Sequence, residues 1–350
     1  MILPAWQRIA LTRGGSAAPA PTVAITSPAA GAVAERLDTT LVVSGTFSDA
    51  TSIEVFSGAT SWGAATLGAG TWTLTRTLQL TDVTETAVLK ATATGNGTTD
   101  SATVTIAVRA KEADYGTLIG SWLLTRNVTL NGSDVAQIND QSGNARHLTA
   151  DAGKQPAYSA TAWNGAEPAC DFDGVAEYAV ANGVAVALSG TDVAFTAVMT
   201  VELLANANAK MLMAAARNNA AGNGSIRVNT GSASNALTVR HTDDAAASDA
   251  DTTTETLGTT RHVISIVYTG TAVSVWFDGT ATSLAATAQD VGASTLVRFG
   301  VGALVYGVAE TAAAFCNMRL ASLHIYNAAL DDTNRAAVRT LQKLRFSGLP

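Results

Sequence analysis

Apolar and polar residues alternate along much of this chain. The alternation is plainest in Trp72-Thr73-Leu74-Thr75-Arg76 and in Thr103-Val104-Thr105-Ile106-Ala107-Val108. A period of two sends successive side chains to opposite faces of a strand. Between 23 and 108 it predicts strands at 23–28, 39–47, 52–57, 71–80, 86–94 and 101–108, with turn signals such as Gly95-Asn96-Gly97 between them. Short strands so spaced predict a β-sandwich. After a charged linker at 109–114, a second series is predicted at 118–124, 169–180, 195–204, 210–216, 225–228, 236–241, 261–268, 272–278, 296–301 and 317–326. The period changes only at the end. Asp331-Asp332 places carboxylates where a helix N-terminus favours them, and Ala337, Val338, Leu341 and Leu344 follow at helical spacing. The fold class predicted is all-β with a short C-terminal helix.

The first 22 residues form an arm and a linker. Ile2, Leu3, Trp6, Ile9 and Leu11 could line one face of a short helix, too short to be stable alone in water. Such an arm either docks on another protein, packs on its own chain or stays loose; the Gly/Ala/Pro linker at 14–22 favours docking. Burying side chains of this size stabilises by about 1.5–3 kcal/mol each, enough in sum to order a short segment.

Composition narrows the field. Only 14% of residues are charged, the net charge is −7, and Ser, Thr and Gly are abundant. A sequence-independent nucleic-acid binder needs a basic stripe that is lacking here. No apolar run reaches membrane-spanning length. Met1–Leu11 lacks the basic start of a secretory signal. The two cysteines, Cys170 and Cys316, and the four scattered histidines show no zinc spacing.

The chain is organised around Ala169-Cys170-Asp171-Phe172-Asp173-Gly174. Cys170 and Phe172 read as the buried face of a strand, Asp171 and Asp173 as the other, and Asp173-Gly174 as a turn. Two carboxylates at this spacing could lie about 5 Å apart, as a retaining glycosidase requires. No third carboxylate follows in register, so turn stabilisation is the reading adopted, and no catalytic residue is assigned. No phosphate-binding loop or dinucleotide fingerprint is present. The segment 242–255 is read as an acidic loop. Its Asp243, Asp244, Asp249 and Asp251 supply the hard oxygens that calcium takes, although no EF-hand pattern occurs and a solvated loop joining two strands is the preferred reading. Calcium is the one cofactor considered.

Three resemblances add to this. The unit at 23–108, with "VAITSPAAGAV", "LVVSGTFSD" and "DSATVTIAV", resembles a bacterial immunoglobulin-like module. The part at 115–346 resembles a laminin-G/concanavalin-A-like jelly roll. It does so through "SWLLTRNVTLNGSDVAQINDQSGNARHLTA", "YSATAWNGAEPACDFDGVAEYAV" and the pair "RHVISIVYTGTAVSVWFDG" and "LASLHIYNAALDDTNRAAVRTLQ". The second resemblance implies two packed antiparallel sheets. It also implies that Cys170 and Cys316 lie close, and that sugar is bound at rim loops with an aromatic platform, for which Trp163, Tyr178 and Tyr306 are candidates. Glycosidases of this fold use an E-x-D-x-E strand, which is absent. Together with the arm, the modules look like a bacteriophage virion protein, of capsid decoration or fibre type. The expectation is a non-enzymatic structural or adhesion protein on the virion surface. Its arm would hold other virion proteins, it would be a homo-oligomer on the particle, and its ligand could be a cell-surface glycan. The alternatives are a secreted, extracellular bacterial carbohydrate-binding protein or adhesin, and a glycan-cleaving enzyme.

Overall fold

The computed structural model describes residues 18–350 apart from 36–39, 79–84, 110, 206–207, 218–222, 232–235, 283–286 and 308. The arm residues Ile2, Leu3, Trp6, Ile9 and Leu11 lie outside the described residues. The chain is all-β with a C-terminal helix and divides into two compact units, Met1–Lys111 and Glu112–Pro350. No described helix is long and apolar enough to cross a membrane.

The first unit has two sheets. One runs in the order Thr22–Ser27, Thr40–Ser48, Thr71–Thr77, Thr66–Leu67. The other runs Val33–Glu35, Val104–Arg109, Glu85–Gly95, Ala50–Ser57, Thr60–Ala64, with Gly97–Asp100 also paired to Glu85–Gly95. Alternation does here what the sequence implies. Leu41 and Val43 face a core shared with Ile53, Val55, Trp72, Leu89 and Ile106, while Val42 faces outward. Trp72 donates its indole N–H to the Ala24 carbonyl at 3.2 Å. The ring crosses beside Gly45, where a Cβ would fall 1.7 Å from that same carbonyl oxygen, so only glycine fits.

The second unit is built around the strand Asn317–Tyr326. On one side it pairs along its length with Phe195–Leu203. On the other its first half pairs with Glu167–Asp173 and its second half with Leu118–Leu123. Arg261–Tyr268 and Ala272–Phe277 extend this sheet beyond Phe195–Leu203, and Ala157–Trp163 extends it beyond Glu167–Asp173. Asp278-Gly279, with both φ angles positive, closes the hairpin after Ala272–Phe277. A second run of antiparallel strands contains Val128–Asn131, Asp134–Ile138, Leu148–Thr149, Ala179–Val180, Arg298–Val301, Met211–Ala216, Ser225–Thr230, Ala236–Thr242 and Ser248–Thr256. Inward residues of both runs make one core, including Trp122, Phe172, Phe195, Met199, Leu212, Phe299 and Leu320. Trp122 stacks on Phe299 with ring centroids 6.1 Å apart.

The helix Asp332–Arg345 begins at Asp331, whose carboxylate accepts from the Asn334 amide. It covers the outer face of the first sheet, where Val338 packs with Val198, Val263 and Tyr326. The "DQSGN" turn is also structural. Asp140 accepts from the backbone N–H groups of Ser121, Ser142 and Arg146, and Asn144 donates to the carbonyls of Leu118 and Ile119.

Three expectations change. The acidic stretch 242–255 is mostly not a loop: Ser248–Thr256 is a strand paired to Ala236–Thr242. Its Asp/Thr alternation lacks an apolar face, because the strand pairs on one side only. Second, the cysteines are free and buried. Cys170 stands opposite Leu320, and Cys316 lies four positions before Leu320. At about 3.3 Å per residue the separation is roughly 13 Å, far beyond the roughly 4.4–6.8 Å of a bridge. The two strands are neighbours, but their register keeps the thiols apart. Third, the predicted strand at 169–180 is two strands, Glu167–Asp173 and Ala179–Val180, separated by the Asp173 turn.

Candidate functional site

At the central stretch, neither aspartate is available for acid–base work. Asp173 Oδ1 accepts from the amides of Val175, Ala176 and Glu177, and these bonds lower its pKa against the opposing effect of burial. Asp171 forms a bidentate pair with Arg319, with both bonds at 2.7 Å. That pair begins a row across four strands. Arg319 also meets Glu202 at 3.3 Å, and Glu202 meets Arg261 at 3.4 Å. The register places these residues directly opposite one another. Arg261 then lies over the Trp163 ring and donates to Asn164. Signs alternate along the row, so the charge is neutralised within the sheet.

The four candidate calcium ligands serve the backbone and neighbouring side chains. Asp243 accepts from the Ala247 amide, and Asp249 accepts from the Ala250 amide. Asp244 accepts from the Thr295 amide and hydroxyl and pairs with Arg217 at 3.5 Å. Asp251 accepts from Gln289 at 3.1 Å. Among the described residues no three His, Cys, Asp or Glu side chains are gathered as a metal site. Sequence proximity did not become spatial convergence, because a turn and a strand hold the four carboxylates on separate tasks.

The aromatic candidates divide. Trp163 is fully buried against Phe346, and Tyr178 is buried over Ala303 and Val305; only Tyr306 is partly exposed.

Two histidine networks contain the residue types of nucleophilic catalysis. In the first, Ser294 Oγ lies 3.2 Å from His241 Nε2, and His241 Nδ1 lies 3.2 Å from the Tyr268 hydroxyl. Tyr268 in turn donates toward Asp192 at 2.9 Å. Burial lowers the His241 pKa and raises that of Tyr268. The adjoining cavity, lined by Phe195, Ile226 and Val239 among others, is about 10 Å³ and holds at most a single water. In the second, Ser121 Oγ lies 2.9 Å from His324 Nδ1, and His324 Nε2 is 3.7 Å from Glu112. Glu112 also accepts from Gln342 and Arg345 of the C-terminal helix. Burial opposes the Glu112 charge, but the neighbouring His324 and Arg345 and the hydrogen bonds from the backbone and Gln342 outweigh it and hold the carboxyl below its ordinary range. Burial also holds His324 below the ordinary imidazole range. This network lies sealed beneath the helix and fastens it to the sheet.

The open polar surface lies elsewhere, on the outer face of Ser225–Thr230, Ala236–Thr242 and Ser248–Thr256. Alternation sends Ile226, Val228, Leu237 and Val239 to the core. It sends Arg227, Asn229, Thr238, Arg240, Thr242, Ser248 and Thr252 to the other face, where Thr238 and Thr242 are themselves buried and hydrogen-bonded to Thr252 and Ser248. Arg227 and Arg240 are directly opposite each other. Their outer neighbours along the row are Ala214 and Ala250. Arg227 Nε donates to Ser225 Oγ at 3.0 Å. Arg240 is exposed. Burial lowers the Arg227 pKa, and the Arg240 charge lowers it further. Neither arginine was singled out from sequence. The alternation in "SIRVNT" and "ALTVRHT" shows that each faces away from the core, but only the register shows that they meet.

No protein-family model matches the chain, and no curated protein is similar to it. Solved structures similar to it include a Trypanosoma rangeli sialidase, at 13% identity and a TM-score of 0.45, over 66% of this chain and 34% of that one. Another is domain 4 of AbnA, a GH43 extracellular arabinanase from Geobacillus stearothermophilus in complex with arabinotriose (14%, TM-score 0.46, 65% and 98%). A third is the botulinum neurotoxin serotype D binding domain (9%, TM-score 0.46, 65% and 52%). The chain thus spans about a third of the sialidase and about half of the toxin structure. The expectation that the chain is not an enzyme does not stand. Sialidases and a domain of an arabinanase are among the structures it is similar to, a likeness of fold that establishes neither activity nor its absence.

Proposed function

We propose that this chain is a virion surface protein that displays a carbohydrate-binding β-sandwich, with the concanavalin-A-like unit as the binding part and the immunoglobulin-like unit as a spacer. The arm bearing Ile2, Leu3, Trp6, Ile9 and Leu11 docks on other virion proteins, and the chain is a homo-oligomer on the particle. The observation that carries the binding reading is the outer face of Ser225–Thr230, Ala236–Thr242 and Ser248–Thr256. It sets hydroxyl, amide and guanidinium groups in rows on paired strands, with Arg240, Ser248 and Thr252 exposed. Sugars are polyols, and a pre-ordered array of donors and acceptors binds them without a large ordering cost. The docking half is supported by the apolar arm and the Gly/Ala/Pro linker behind it.

Two measurements test the two halves separately. Glycan-array binding by the full chain tests the first; silence across the array overturns it. For the second, a chain starting at Ser16 should keep the melting temperature and the glycan profile of the full chain and lose association with the particle. Unfolding of either unit, or unchanged association, overturns the docking role.

A further inference from the structure

We infer that two copies of this chain meet, sheet against sheet, through the charge-free outer face of one sheet of the N-terminal unit. This rests on the homo-oligomer reading and names its interface. The sheet is the one made of Thr22–Ser27, Thr40–Ser48, Thr71–Thr77 and Thr66–Leu67. Its alternation sends Leu41, Val43, Trp72 and Leu74 to the core. The alternate positions face out and repeat nearly one chemistry. On the two central strands Thr46 stands opposite Thr71, Ser44 opposite Thr73, and Val42 opposite Thr75. All of these but Ser44 are exposed. The hydroxyls of Thr46, Thr71, Thr73 and Thr75 make no hydrogen bond among the described residues. The four strands hold one charged residue, Arg76, and it lies over the ring of the buried Trp62, on the opposite side of the sheet. The other sheet of the same unit differs. Its outer face carries Glu54, Lys90 and Asp100, with Lys90 and Asp100 paired at 2.9 Å.

Charge argues for a second copy as the occupant. The chain has a net charge of −7, so two copies repel, and they approach at least cost through a surface without charge. Depletion of charge also marks the cores of protein interfaces. Threonine and valine are stiff at χ1, so covering them loses little rotamer freedom. No long side chain stands on the face, so two such sheets can reach the roughly 10 Å spacing of packed sheets. A two-fold axis through the face sets each hydroxyl row against its own copy. A sugar fits less well, because the outward positions of these strands offer no aromatic ring, amide or charge to orient it. At about 3.3 Å per residue and about 4.8 Å between strands, the face covers on the order of 400 Å². That is about half of the roughly 800 Å² that each partner gives to a standard interface. The contact is therefore weak in free solution and gains from the high local concentration on a particle.

The test is sedimentation equilibrium of the full chain at concentrations up to about 1 mM, where a weak contact shows. The chain should self-associate, and raising salt from about 50 to about 300 mM should tighten the association by screening the repulsion between copies. Thr73→Glu and Thr73→Lys should each weaken it at least about tenfold, because each puts a charge into the contact. The pair of variants separates the face from net charge. If Thr73→Lys, which lowers the net charge, tightens association while Thr73→Glu weakens it, repulsion alone is at work and the inference fails. Thr94→Glu, the same change at an exposed position of the other sheet, should leave association as it is. All three variants should melt within about 2 °C of the parent. Should Thr73→Glu fail to fold, Thr46→Glu on the adjacent strand takes its place. A chain that stays monomeric throughout, or one whose association ignores both Thr73 variants, overturns the inference; the docking of the arm is still decided by the chain starting at Ser16. Monomers that bind an insoluble glycan through Thr73 also overturn it, in favour of a sugar surface.

Discussion

Two rows of charge cross the C-terminal unit, and they obey opposite rules. Asp171, Arg319, Glu202 and Arg261 alternate in sign over four strands, each within ion-pair distance of the next. Arg227 and Arg240 repeat one sign across two strands. The first row satisfies itself, and together with the Glu112 network under the helix it holds the sheet together. The second weakens the pairing on which it sits. The way charge is arranged thus separates the ion pairs that hold the sheet from charges that do not, better than the presence of charge does.

The sharpest contrast comes from the sealed end of that comparison. Glu112→Ala leaves Arg345 buried without its carboxylate and should destabilise the unit by about 3–5 kcal/mol, measured by urea unfolding. Next is Arg319→Met, which leaves Asp171 and Glu202 facing each other without the cation between them. A loss of about 2 kcal/mol is expected. A loss below about 0.5 kcal/mol would show that the alternating row is decorative. Acid gives a smaller, graded effect. His324 and His241 have folded pKa values below the ordinary 6.5, so the unfolded chain takes up protons first, and their contribution declines as pH falls below 6.5. His262, raised despite burial by its bond to Asp278, works the other way: its contribution is complete below 6.5 and is lost as pH rises through its folded value. Glu112, depressed below 4.5, adds stability above 4.5 that is lost as pH falls through its folded value. Thermal scans should therefore show a shallow decline between pH 6.5 and 4.5, and a steeper one below that is blunted in Glu112→Gln. The smallest effect is on the open row, where Arg240→Gln should change stability by no more than about 0.5 kcal/mol, in the stabilising direction. A clear destabilisation would place Arg240 among the structural pairs and erase the contrast.

Much of the strand order could be read because burial writes alternation into the chain. The strands Arg261–Tyr268 and Asn317–Tyr326 were predicted to the residue. Both are flanked by turn residues and both pack a continuous apolar face. The strand Ala157–Trp163 was not predicted, since only Trp163 at its end is buried. The short helix Asn182–Leu188 was missed because Gly183 and two valines argue against helix, and packing of Val184, Ala185 and Leu188 overrides that preference. The acidic segment was read as a loop because its strand has no apolar face. The arginine pair was beyond reach for a different reason. Each residue shows its face through local pattern, but partners are chosen by register, which is a property of two strands at once.

The position of Asn317–Tyr326 has a consequence for how the protein is made. This strand lies at the centre of its sheet, yet it is the last strand of its unit to leave the ribosome. Until it emerges, Phe195–Leu203 on one side and Leu118–Leu123 and Glu167–Asp173 on the other have no partner along the edges it will fill. The nascent unit therefore spends most of its synthesis with open, apolar sheet edges, the condition in which chains pair with their neighbours. A ribosome stalled shortly before Asn317 would hold a unit that is nearly complete in length and not at all closed.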